Sequence, residues 1–223
     1  MTNLNSKTAI VVGATGLVGS HLVSKLLNDQ RYSTVKVFTR RSTGIINPKL
    51  QEHIVDFNLI EKWGNSLTGD ELYSCLGTTL KQAGSKEKQY LVDYTYQYEI
   101  AKAAAENQVP KYLLVSSAGA NRFSPNFYLR IKGSLDYEVS QMPFERIIIF
   151  QPSALLGKRE KPRFWEKIGI TLINILTKIF PSFRKYRPIK AETVADAMIN
   201  AANDSTFQKV IVYKLDQINL IAE

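Results

Sequence analysis

Cysteine is nearly absent from this chain of 223 residues. Cys75 stands alone, so an intramolecular disulfide is excluded and a reducing, cytoplasmic setting is expected. Histidine is almost as scarce. His21 and His53, with that one thiol, offer no ligand cluster, and no metal is expected. No apolar run reaches the ~20 residues of a membrane span. The N-terminal MTNLNSKTAIVVGATG lacks the basic-then-apolar pattern and small-residue cleavage site of a secretory peptide. No RNA- or DNA-reading motif is present, so nucleic acid is not an expected partner. Acids are scarce in one segment above all. Residues 151–190 hold ten Lys or Arg against only Glu160 and Glu166, and so carry nearly all of the formal +9.

What is present is ordinary for a soluble α/β domain: 44% hydrophobic and 22% charged residues, in a chain long enough for one large core. Strand and helix signals alternate. Strands are expected at about 8–13, Val35–Phe38, His53–Val55, Leu72–Cys75, Tyr112–Val115, Arg146–Phe150 and Val210–Tyr213. Helices are expected at about 17–27, Glu99–Asn107 and Tyr128–Val139. Lys81–Gln89 is polar, carries a Gly-Ser pair, and reads as a surface loop. The expected fold is one doubly wound, mostly parallel sheet over residues 1–223, with a small helical cap or substrate segment at about 151–190. Ligands in such folds bind at the carboxyl ends of the strands.

The first candidate site follows the first strand directly. Gly13-Ala14-Thr15-Gly16-Leu17-Val18-Gly19 joins a strand to a helix start, which is the context that makes a glycine motif a dinucleotide-binding hypothesis. Gly13 would allow the tight turn, Gly16 the approach of a pyrophosphate, and Gly19 close helix packing. The helix amino terminus favours the phosphate charge. No Asp or Glu lies between Thr34 and Pro48, where a free ribose diol usually meets an acid. Arg40 and Arg41 stand there instead and can fork onto a 2′-phosphate. NADP(H) is therefore favoured over NAD(H). Asp56 is placed to accept from the adenine amine, with Phe57 beside the ring. Cys75, Leu76, Gly77 and Thr79 would line the middle of the cofactor. Cys75 reads as a buried small residue rather than a nucleophile.

The second candidate site is Tyr128-Leu-Arg-Ile-Lys132, which puts a phenol and an ammonium one helical turn apart on one face. Ser116 and Ser117 end the fifth strand upstream. Hydride arrival at a carbonyl demands a proton, which Tyr128 can give with Lys132 beside it. A serine hydroxyl can polarise the carbonyl.

The strings VVGATGLVG, CLGTT (75–79), LVDYTY (91–96), KYLLVSSAGANRFSPNFYLRIKG (111–133) and FQPSALLG (150–157) together resemble the short-chain dehydrogenase/reductase superfamily, in its extended and atypical branches. More narrowly they resemble the Tat-interactive protein 2 (oxidoreductase) family and its bacterial relatives. The resemblance spans nearly the whole chain. It implies a Rossmann NAD(P)-binding fold, Tyr128 as catalytic acid/base, Lys132 as its helper, and Ser117, with Ser116 close behind, as the polarising hydroxyl. It also implies that Asp93 orients the start of a central helix and that Pro152 and Ser153 lie near the nicotinamide. The eleven-residue spacing from Ser117 to Tyr128 is short for the family and leaves the substrate open.

The leading expectation is an NADPH-dependent oxidoreductase acting on a small carbonyl or alcohol. Two alternatives stand beside it: an epimerase or dehydratase using the same tyrosine, and a cofactor-sensing interaction protein. The chain is expected to be a homodimer or a monomer. Segment 158–190 mixes Trp165 and aliphatic residues with basic flanks. It reads as a helix covering the cleft or a neighbouring subunit, with an anionic membrane surface as the lesser alternative.

Overall fold

The computed structural model describes residues 6–157, 187–205 and 208–223. The core of the expected cap, with its basic and aromatic residues from 158 to 186, lies outside the described residues, as do the membrane and subunit readings placed on it.

β1 (Lys7–Val12) runs into the glycine turn, and α1 (Leu17–Asn28) returns along the sheet. β2 (Tyr32–Thr39) and β3 (Leu50–Ile54) follow. A 3-10 turn at Phe57–Leu59 and one turn of helix, α2 (Ile60–Trp63), lead to β4 (Glu71–Ser74). Then come α3 (Leu80–Ala83) and α4 (Lys86–Tyr90). α4 passes through a π-helical turn at Leu91–Thr95 into α5 (Tyr96–Glu106). β5 (Lys111–Val115), α6 (Phe127–Ser140) and β6 (Arg146–Gln151) repeat the unit. β7 (Leu155–Leu156) and β8 (Ile189–Lys190) form a small parallel pair. α7 (Ala191–Asn203), β9 (Val210–Lys214) and α8 (Gln217–Ala222) complete the chain.

Among the described residues the main sheet has seven strands in the order β3-β2-β1-β4-β5-β6-β9, every pair parallel. This is the expected doubly wound α/β architecture. Both faces are covered, as a parallel sheet requires, and alternate residues feed two cores. Ala9 and Val11 of β1 pack with Leu22 and Leu26 of α1 and with Val194 and Met198 of α7. Ile10 and Val12 face the other way, onto Ile100 and Ala104 of α5 and Leu135 and Val139 of α6.

The register brings the strand ends level. Val12 pairs with Phe38 and Ser74, Ser74 with Leu114, and Val115 with Phe150. Gly13, Thr39, Cys75, Ser116 and Gln151 therefore lie level at the carboxyl ends of their strands. Between β1 and β4 the strand order reverses, and the crevice of a doubly wound sheet opens at such a switch point.

Three segments differ from the sequence reading. Lys81–Gln89 is not a plain surface loop, because α3 and α4 occupy most of it. Thr79 and Ser85 supply the reason: each side chain accepts from a backbone N–H three residues on and caps a helix. α7 was not among the expected elements. β3 starts and ends earlier than His53–Val55, being an edge strand whose half-exposed residues blur the apolar signal.

Candidate active site

The glycine turn is built by contact. Gly13 has φ +82°, and a Cβ there would lie 2.6 Å from the carbonyl carbon and oxygen of Cys75. A Cβ on Gly19 would lie 2.1 Å from the carbonyl oxygen of Gly13. Both positions thus exclude a side chain through rigid backbone, and α1 is pressed onto the turn at the switch point. Gly16 N–H donates to the Gly13 carbonyl (2.9 Å), closing the turn. Gly16 is also the N-cap of α1. No side chain caps that end, and no acid lies in its first turn. The amides of Leu17 and Val18 open the helix, which makes this a phosphate-compatible terminus. Thr15 is exposed on the turn, and Leu17 is half-buried under Gly157.

Arg40 and Arg41 are both exposed just beyond β2, and among the described residues neither enters a salt bridge. Thr39 donates its hydroxyl to the Arg41 carbonyl (2.9 Å), fixing the bend. Asp56 caps the 3-10 turn after β3, its Oδ1 accepting from the backbone N–H and the side-chain amide of Asn58 (2.9 and 2.8 Å). Phe57 differs from expectation. It is only 6% exposed, and its ring packs with Trp63 and Tyr96 in the core rather than standing open to a ligand. Tyr96 is the aromatic that reaches this end. Its hydroxyl donates to Asn58 Oδ1 (2.7 Å), and burial, then the Asp56 charge, raises its phenol against the pull of Arg40. Tyr96 and Asn58 had no local sequence signal, being 38 residues apart.

The loop after β4 forms the other wall. Cys75 is half-buried, and desolvation pushes its thiol up to about 12, so it is an inert residue rather than a nucleophile. Leu76 packs on the core, and Gly77 is exposed. Thr79 spends its hydroxyl on capping α3. Asp93, in the π-helical turn, accepts from the Thr78 N–H through Oδ1 (3.1 Å) and pins this loop. Its Oδ2 is buried without a partner, and burial raises the carboxyl against the pull of the Lys132 ammonium.

On α6 the expected residues share a stripe. Tyr128 is half-buried at its start. Lys132 is 2% exposed and donates to the Val115 carbonyl (3.2 Å). A lysine buried this deeply, four residues from a phenol and beside a strand end, is not the solvated surface lysine of an ordinary helix. The two serines part company. Ser116 is 6% exposed and donates its hydroxyl to Asp136 Oδ2 (2.8 Å), so it faces inward. Ser117 is half-buried, and its one weak contact is to the Ala118 carbonyl at 3.4 Å. Pro152 is buried, with its carbonyl accepting from Ala118 N–H (2.9 Å), and this joins the loops after β5 and β6. Asp136, which the sequence reading passed over, was findable from its i+8 spacing to Tyr128. Among the described residues no metal-ligating cluster forms.

These residues fit a nicotinamide dinucleotide. Gly13 and Gly19 exclude a Cβ through backbone contact, the helix end carries no acid in its first turn, and the Lys132 ammonium is buried against the end of β5.

Residues 9–131 match the model of the NAD dependent epimerase/dehydratase family. The chain is 34% identical to "Protein FMP52, mitochondrial" of Meyerozyma guilliermondii, over 96% of this chain and 95% of that protein. It is 38% identical to the protein of the same name from Candida glabrata, over 89% and 86%. Among solved structures, WbmH of Bordetella bronchiseptica in complex with NAD+ superposes with a TM-score of 0.68 at 15% identity, covering 94% of this chain and 75% of that one. The superfamily part of the sequence resemblance stands. At the narrower level these relatives are FMP52 proteins rather than Tat-interactive protein 2. The cytoplasmic expectation is corrected too, since the FMP52 relatives are named mitochondrial.

Proposed function

The chain belongs to the NAD dependent epimerase/dehydratase family, and from that premise we propose that it is an NADPH-preferring oxidoreductase acting on a small carbonyl or alcohol. The observation that carries the reading is the buried Lys132 one turn from Tyr128, facing the strand end that bears Ser117. Gly13, Gly16 and the first amides of α1 would hold the pyrophosphate. Arg40 and Arg41 would hold a 2′-phosphate, with Asp56 and Tyr96 at the adenine end. Lys132 would hold the nicotinamide ribose. The bound cofactor supplies or accepts the hydride. Tyr128 delivers or takes the proton at the substrate oxygen, and the Ser117 hydroxyl donates to that same oxygen as charge develops. Ser116, turned to Asp136, is the strut of the pair rather than its donor. The mitochondrial names of the FMP52 relatives point this chain away from a simply cytoplasmic location.

The phosphate assignment predicts that Arg40→Ala or Arg41→Ala weakens NADPH binding about tenfold or more, the loss of a charge-assisted contact. NADH binding should change less than twofold. Calorimetric titration of each variant with both nucleotides reads this directly, and an equal loss for both nucleotides would contradict it.

The acid/base assignment predicts that Tyr128→Phe lowers turnover by about 10²-fold or more with cofactor affinity within threefold of wild type. A carbonyl panel followed at the NADPH absorbance band measures it, and full activity in the variant would remove Tyr128 from the chemistry. An epimerase or dehydratase is the second reading, favoured by the family match. It would return its cofactor unchanged, so net NADPH consumption separates the two.

A further inference from the structure

We propose that Asp136 is a positioning residue of this site: its carboxyl clamps the ends of β5 and β6 onto α6 and so sets where Lys132 stands in the crevice. The proposal rests on the reading of the crevice as a nicotinamide dinucleotide site.

Tyr128, Lys132 and Asp136 follow one another at four-residue steps along α6 and lie on one stripe. Helical side chains lean toward the amino terminus, so the Asp136 carboxyl sits over the turn that carries Lys132. Its Oδ2 accepts from Ser116 Oγ (2.8 Å) and from Gln151 Nε2 (2.9 Å). Ser116 is the residue just past β5, and Gln151 is the last of β6. Ser116 N–H also donates to the Phe150 carbonyl (2.7 Å), so the two strand ends are tied to each other as well.

The neighbouring contact runs the opposite way. Lys132 donates to the carbonyl of Val115, the residue before Ser116. Helix and strand end are therefore joined twice, one residue apart on the strand and one turn apart on the helix. Neither join can shift without the other. Ser117, next along, is half-buried and takes no part in the clamp.

Packing alone does not account for Asp136. Its Oδ1 is buried without a partner, and burial drives the carboxyl toward its protonated form despite the Lys132 and Lys214 charges. A leucine would fill this space without that cost. Both donors converge on one oxygen, a pattern that an amide can reproduce.

Asp136→Asn, Asp136→Leu and Ser116→Ala separate this role from a merely structural one. NADPH and NADH are titrated into each, together with ADP, which reaches only the adenine end and the phosphate turn. Asp136→Asn should keep dinucleotide affinity within about threefold. Asp136→Leu and Ser116→Ala should weaken it about tenfold, the loss of a buried hydrogen-bond partner, with ADP affinity held within twofold. Loss of ADP and dinucleotide affinity together, or unchanged dinucleotide affinity in the folded variants, overturns the proposal. If Asp136→Leu does not fold, Ser116→Ala carries the same comparison. A wild-type protein that binds neither dinucleotide would fail the reading of the crevice itself, a result distinct from intact wild-type binding that the variants leave unaltered.

Discussion

Gly19→Ala is expected to abolish dinucleotide binding and to lower the thermal midpoint by about 10 °C. The added Cβ would stand 2.1 Å from the Gly13 oxygen, 2.8 Å from its carbonyl carbon and 3.1 Å from the Ala14 Cα. All three are backbone atoms of the glycine turn, so no side chain can swing away to make room. Either α1 lifts off the turn or the turn opens, and both destroy the geometry that presents the first helical amides. Overpacking against a rigid neighbour costs about 3 kcal/mol, which for a domain of this size is a midpoint change of ~10 °C. Gly16→Ala is the comparison. Its Cβ would meet the same oxygen at 3.1 Å, a contact that a few tenths of an ångström relieve, and a cost of about 1 kcal/mol is expected. Differential scanning calorimetry with and without NADPH orders the two variants. Near-equal midpoints would mean that α1 does not press on the turn as described.

The second large effect lies at the opposite end of the sheet. Glu71→Ala is expected to destabilise the protein by about 4 kcal/mol, the cost of breaking a buried ionic cluster from one side. The Glu71 side chain is fully buried at the start of β4. It accepts from the hydroxyls of Tyr32 (2.7 Å) and Tyr73 (2.6 Å) and pairs with the Lys7 ammonium (2.9 Å). Lys111 lies 3.8 Å away, and the Asn203 amide donates to the Tyr32 hydroxyl. One carboxylate thus gathers β1, β2, β5 and α7. Burial, then the Glu71 charge, pushes both phenols up and holds them as neutral donors. Removing the acceptor leaves the two hydroxyls only each other to donate to, 3.1 Å apart, so one buried donor loses its partner, and the Lys7 ammonium loses its counter-charge. Glu71→Gln retains an acceptor and should lose less than half as much. Urea unfolding measures both, and a loss under 1 kcal/mol for Glu71→Ala would show the cluster to be replaceable. Cofactor affinity of folded Glu71→Gln should match wild type, since the cluster is a full strand length from the crevice.

Much of the candidate site is legible in sequence because the residues that suggest it are local. Gly13, Gly16 and Gly19 carry their meaning within seven residues, and Tyr128 and Lys132 within one helical turn. The strands that flank them are runs of buried aliphatic residues alternating with helical segments, which is the pattern of a doubly wound sheet. What escapes the sequence is non-local or depends on capping. Asn58 and Tyr96 meet only after folding. Ser116 and Ser117 are equivalent as letters, and only the inward turn toward Asp136 and Gln151 tells them apart. Phe57 reads as a ligand-side ring, yet Trp63 and Tyr96 draw it into the core. Lys81–Gln89 looks like a loop by composition, because its helices depend on the Thr79 and Ser85 caps rather than on an apolar stripe. α7 is rich in alanine, and its buried Val194 and Met198 become meaningful only against α1.

Titration calorimetry of the purified, nucleotide-stripped protein with NADPH and with NADH tests the central claim most directly. The account predicts a single site for NADPH, at least tenfold tighter than for NADH, the difference being the 2′-phosphate held by Arg40 and Arg41. No heat and no competition with either nucleotide, from a protein shown to be folded, would contradict it.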